Sequence, residues 1–140
     1  MKKVFLIFAN EDAWRVNRLL PSLDSPEYEL EFYDGPLDMD IEAPGSEAVK
    51  QTIGEKVVKC GIAVCLISES ASRSKWVDLQ LRKNLNKGNR IIAMAVKGVE
   101  SAVLPELVRQ ENLTFYPWDP ARLKKMIGEE EGGIFDNSPK

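Results

Sequence analysis

Apolar residues run almost unbroken from Val4 to Ala9, from Ile62 to Ile67 and from Ile91 to Val96, each run bounded by polar positions. Continuous β-favouring stretches of this length predict strands buried on both faces, as in the middle of a parallel sheet. Tyr28 to Tyr33 reads differently, because Tyr28, Leu30 and Phe32 alternate with Glu29 and Glu31, as on an edge strand that is wet on one side. Between these runs the apolar spacing lengthens to helical periods. Val16, Leu19, Leu20 and Leu23 form a stripe behind Asn10, a candidate cap followed by Glu11 and Asp12, and Pro26 ends this helix. Val49, Ile53 and Val57 form a second stripe behind another candidate cap, Ser46. Val77, Leu81 and Leu85 form a third, in a helix from about Ser74 to Lys87 that Gly88 stops. A short helix near Leu104 to Gln110, a weaker strand from Leu113 to Tyr116 and a helix from Pro120 to about Ile127 complete the pattern.

Strands alternating with helices at this spacing predict a flavodoxin-like α/β architecture, a parallel sheet of about five strands with helices on both faces. The 140 residues suit a single domain over 1–128, with a core large enough to need no disulfide or metal, and 129–140 read as a flexible acidic tail. Lys and Arg number 19 against 22 Asp and Glu, and the two signs are mixed along the chain, which argues against a nucleic-acid surface. The chain has no histidine. That removes Ser-His and Cys-His nucleophiles and every His-ligated metal, so no metal and no resident cofactor are expected. Cys60 and Cys65 lie in apolar sequence and read as a reduced buried pair, in keeping with a cytoplasmic protein. The apolar start ends at Ala9, too short for a signal or a membrane span.

In an open parallel sheet, ligands bind beyond the carboxyl ends of the strands. That rim comprises residues 9–14, 34–45, 68–76 and 97–100. The segment 34–45 holds two prolines, two glycines and four acids, and reads as a loop about twice the usual connection length. No glycine-rich phosphate fingerprint follows the first strand. Backbone N–H groups near Ser72 to Lys75, helped by Arg73 and Lys75, could hold an anion, although serines before a helix serve first as caps.

Five segments together carry a family resemblance: Lys3-Val4-Phe5 with Phe8, Phe32-Tyr33-Asp34-Gly35, Ser74-Lys75-Trp76-Val77, Lys87-Gly88-Asn89 and Ile91-Ile92. Over about residues 3 to 97 the chain resembles the TIR-like family that includes the TIR-like subunit of bacterial Thoeris antiphage defence systems. The resemblance implies a TIR fold. In active members it implies cleavage of the nicotinamide–ribose bond of NAD, which is substrate and not cofactor, and cyclisation of the ADP-ribose into a signal for an effector protein. It also implies NAD or a related nucleotide as partner, with self-association as a further option. That mechanism uses a glutamate four residues after the tryptophan. Here the position holds Gln80, and Ile7-Phe8 replaces a Ser-aromatic pair. Gln80 thus takes the catalytic place, with Phe8, Asn10, Asp12, Asp34, Ser68, Ser74, Lys75 and Trp76 as candidate substrate-binding residues. Plainer roles compete: Trp76 as a packing anchor, Asp34 as a turn organiser, the rim acids Asp12 and Glu69 as solvated or capping groups, and Gln80 as an exposed polar position.

Breaking an N-glycosidic bond builds positive charge on the ribose, which a carboxylate stabilises and an amide does not. Losing one preorganised group of this kind costs about a hundred- to a thousandfold in rate, so hydrolysis is expected to be weak or absent while binding survives on a near-isosteric side chain. Asp78 lies nearly opposite Gln80 on its helix and cannot stand in for it; Glu69 and Asp12 are better placed. Two other readings stay open. One is a non-catalytic interaction module, in which the acidic 34–45 loop and the helix faces meet a partner or a second copy. The other is a phospho-receiver, with Glu11 and Asp12 as metal-binding acids and Lys97 after a later strand, but Ser68 stands where its phosphoacceptor aspartate belongs.

Overall fold

The strands Lys2–Ile7 (β1), Tyr28–Glu31 (β2), Ile62–Ile67 (β3), Arg90–Ala95 (β4) and Phe115–Tyr116 (β5) pair in parallel in the order β2-β1-β3-β4-β5. This computed structural model describes the backbone of residues 1–136 and the side chains of residues 1–129. The helices are Ala13–Leu23 (α1), Ser46–Val57 (α2), Lys75–Lys87 (α3), Glu106–Gln110 (α4) and Pro120–Asp136 (α5). The flavodoxin-like expectation is therefore met, with β2 on the edge and the wholly buried β3 at the centre.

Successive strand residues point to opposite faces, and each face has its own core. Phe5, Ile7, Ala63, Cys65, Ile67, Ile91 and Ala93 meet Val49, Ile53 and Val57 of α2 and Val77 and Leu81 of α3. Val4, Leu6, Ile62, Val64, Leu66 and Met94 meet Val16 and Leu23 of α1 and Leu123, Met126 and Ile127 of α5. Cys60 and Cys65 are unbridged and buried, as expected, and burial pushes their thiols up to about 11 and about 12. Among the described residues no helix is long and apolar enough to cross a membrane.

Helix starts differ from the sequence expectation in two places. Asn10 opens a 3-10 turn, Asn10–Asp12, and caps nothing; its Oδ1 accepts instead from the Leu37 amide at 3.1 Å, because the chain must first turn over the end of β1. Ser46 is the first residue of α2 and its side chain makes no capping bond; the cap is Gly45, whose φ of 91° suits a residue without a Cβ. Ser74 does cap α3, its Oγ accepting from the Val77 amide at 3.1 Å, and Gly88 ends that helix at φ 92°. Helix α5 continues to Asp136, past the expected end near Ile127; the expected tail at 129–140 falls almost wholly outside the residues whose side chains are described.

Candidate functional site

The carboxyl rim is open on the β2 side of β1. There a pocket of about 280 Å³ is lined by Leu6, Phe8, Asn10, Ala13, Asn17, Phe32, Tyr33, Asp34, Gly35, Leu37 and Gln80. Leu6 and Phe8 reach it because alternate residues of β1 and its continuation face α1. Phe8 meets Phe32 in a tilted pair, centroids 5.9 Å apart and planes at 58°, so one wall is aromatic. The next wall depends on a glycine. A Cβ on Gly35 would stand 2.6 Å from the Tyr33 hydroxyl oxygen, so only glycine lets that ring lie across its backbone.

Gln80 is 2% exposed and lines the pocket from α3. Its Nε2 donates to the Trp76 carbonyl one turn earlier at 3.1 Å. Its own backbone carbonyl accepts from Asn84 Nδ2 at 2.9 Å, and Asn84 Oδ1 accepts from Asn89 Nδ2 at 2.8 Å. This buried amide ladder runs down α3 and joins its last turns to Asn89, the residue before β4. Asp34 is the one charged residue in the pocket wall, and no cation lines it.

The acidic segment between β2 and α2 is more ordered than its composition suggests. Leu37, Met39 and Ile41 pack on the core while Asp38, Asp40 and Glu42 face out, and the Trp76 indole N–H donates to the Met39 carbonyl at 2.9 Å. Trp76, 5% exposed, is thus a tether for this strap and does not line the pocket.

Asp12 and Ser68 meet on the other side of β1. The Ser68 hydroxyl donates to Asp12 Oδ2 and accepts from the Ser70 amide at 3.1 Å. Arg15 Nε stands 3.9 Å from Asp12 Oδ1, and Arg15 Nη1 stands 3.4 Å from Glu69. Burial raises the Asp12 carboxyl above its ordinary value, opposed by the Ser68 hydrogen bond and the Arg15 charge. Both residues are buried, and their polar atoms join the loop after β1 to the loop after β3. Lys75 projects elsewhere, into a groove with Lys50, Arg82 and Lys83 beside Glu42 and Asp78.

The pocket therefore brings together Gln80, Phe8, Asn10 and Asp34 of the residues singled out from sequence, and leaves Asp12, Ser68, Ser74, Lys75 and Trp76 outside it. Asn17, Phe32 and Tyr33 join it without having been singled out as candidates. Asn17 had one signal, standing four residues after Ala13 and hence on the same strip of α1. Among the described residues, no group of three or more Cys, Asp or Glu is arranged to hold a metal ion.

Residues 5–101 match the protein family described as Thoeris protein ThsB, TIR-like domain. No curated protein matches the chain. Among solved structures, a Clostridium botulinum CMP N-glycosidase, BcmB, is similar at TM-score 0.58 and 15% identity over 89% of this chain and 98% of that one. The TIR domain of the Toll-related receptor TRR-2 of Hydra magnipapillata is similar at TM-score 0.53 and 17% identity, over 96% and 95% of the two chains. The TIR domains of the activated Roq1 resistosome are similar at TM-score 0.53 and 18% identity, over 99% of this chain and 75% of that one. At such identities the likeness establishes a shared fold.

Proposed function

The chain belongs to the Thoeris ThsB TIR-like domain family, and on that premise we propose that its rim pocket binds the nicotinamide riboside end of NAD and cleaves it weakly or not at all. The observation that carries this reading is the placement of Gln80, buried beside the pocket on the first turns of α3 with Phe8, Phe32 and Asp34 around it. An aromatic wall suits a planar base, and a lone carboxylate suits ribose hydroxyls or a pyridinium ring. The same wall without a cation suits the uncharged sugar better than a phosphate. The role in antiphage defence, a cyclised ADP-ribose signal and an effector protein that answers it belong to this proposal and follow from family membership.

Gln80 bears on the rate in two ways. It has no charge to set against the oxocarbenium-like transition state. Its donor is also committed to the Trp76 carbonyl, so the amide is held along the helix. A carboxylate at this position could not donate to that carbonyl and would be repelled by it, which turns the side chain towards the pocket. The test is Gln80→Glu with NAD consumption as readout: a rise of at least about tenfold is expected, from a group worth about a hundred- to a thousandfold. No rise, together with no NAD binding by either chain, overturns the proposal. The neutral, internally bonded amide also favours a second reading, a non-catalytic interaction module; self-association or partner binding with no nucleotide affinity would establish it instead.

A further inference from the structure

Trp14 is 58% exposed, the one aromatic side chain among the described residues that stands mainly in solvent. Arg15 and Arg18 hold their guanidinium carbons 5.7 Å and 5.2 Å from its ring centroid. Ala13 and Asn17, which line the pocket, lie on the adjacent strip of the same helix, about 80° round its axis from Trp14. The indole is therefore the next surface met on leaving the pocket across α1.

We propose that Trp14 and Arg18 together form an outer subsite that takes the second half of a dinucleotide, its diphosphate and its distal base. This rests on the pocket's reading as a nucleoside site, and two observations extend it. The volume of about 280 Å³ lies at the small end of ligand pockets and suits one nucleoside, so the other half of a dinucleotide lies outside. No cation lines the pocket, so the phosphates find their counter-charge beyond it, and Arg18, stacked on Trp14 and about 40° further round α1 than that ring, offers one. Arg15 is engaged with Glu69 and Asp12, whereas Arg18 has no carboxylate partner among the described residues. Arg18 can swing from the ring to a phosphate, and the ring face that it leaves can then receive a base. The basic groove around Lys75 and Lys83 is the other source of positive charge near α3, but the strap from Leu37 to Glu42 separates it from the pocket.

The test compares calorimetric titrations of NAD and of nicotinamide riboside, which lacks the diphosphate and the distal base, into the chain and into Trp14→Ala and Arg18→Ala. Both substitutions are expected to weaken NAD about tenfold and to shift the riboside less than twofold. Both positions face solvent, so the fold tolerates the changes. Equal loss of both ligands would show that α1 merely shapes the inner pocket, and no loss of NAD would show that its distal half lies elsewhere; either overturns the subsite. If the unaltered chain binds neither ligand, the nucleoside reading itself fails and the subsite with it. Riboside binding that persists while the NAD effects are missing refutes the subsite alone.

Discussion

Two polar groupings flank the end of β1, one sealed and one open. The sealed one lies between β1 and β3, where Asp12 and Ser68 bind each other and Arg15 closes over them. The open one lies between β1 and the continuation of β2, where Gln80, Asn10 and Asp34 ring a pocket. The strand order reverses at β1, with β2 on one side and β3 on the other, and such a switch point is the usual ligand crevice of a parallel sheet. In this chain internal hydrogen bonds fill that crevice and the pocket sits one strand over. No side-chain polar atom buried among the described residues lacks a partner. Polar groups buried at the rim thus have their partners within the chain, and polarity at the rim is not by itself a binding site.

The hardest test of the sealed side is Asp12→Ala. It strands the buried Ser68 hydroxyl and one charge partner of Arg15, and is expected to cost about 3 kcal/mol of unfolding free energy in urea titrations. Its NAD affinity at low temperature, where the chain stays folded, should change less than twofold. A large loss of affinity would merge the two groupings into one site. On the open side, Gln80→Glu should lower stability by about 1–2 kcal/mol, because it leaves the Trp76 carbonyl without its donor and puts a carboxylate at a position only 2% exposed, while raising NAD turnover. Opposite signs in stability and activity separate a functional position from a structural one; unchanged stability would mean that the side chain turns to solvent. A smaller effect is expected from Ser74→Ala, about 1 kcal/mol of stability through the lost cap, with nucleotide affinity unmoved.

The same contrast marks what could be read from the sequence. Periodicity located every strand and helix, because burial on two faces or on one stripe is written directly in residue order. The fully apolar Ile62–Ile67 matched β3 to the residue, and Val49, Ile53 and Val57 all proved buried. Element ends were less legible, since Asn10 and Ser46 look like caps but tertiary demands took precedence: Leu37 needed an acceptor, and Gly45 supplied a backbone angle. In sequence the strap looks like an irregular loop, because two prolines and two glycines hide the alternation of Leu37, Met39 and Ile41 with acids. Gln80, Phe8, Asn10 and Asp34 share a pocket that spacing alone could not assemble, as they come from three separate segments. Asp12 and Ser68 lie 56 positions apart and look in the sequence like two independent rim residues. Their mutual satisfaction exists only in three dimensions.

The smallest expected effect concerns the charge at the sealed junction. Burial raises the Asp12 carboxyl above its ordinary 3.8 despite the Ser68 hydrogen bond and Arg15. The folded chain then holds this proton more tightly than the unfolded chain does. Unfolding free energy from this group is greatest below the unfolded value, falls as pH rises through the folded value and is flat above it. The sign is opposite to that of a carboxylate whose salt bridge outweighs its desolvation. Subtracting the stability of Asp12→Asn removes the titration of every other group and leaves that of Asp12 alone. Urea titrations from about pH 3 to pH 6 should show the unsubstituted chain losing stability relative to Asp12→Asn as pH rises. A relative gain over the same window would mean that Ser68 and Arg15 overcome burial, which makes the junction a charge-stabilised clasp, one that would open in acid.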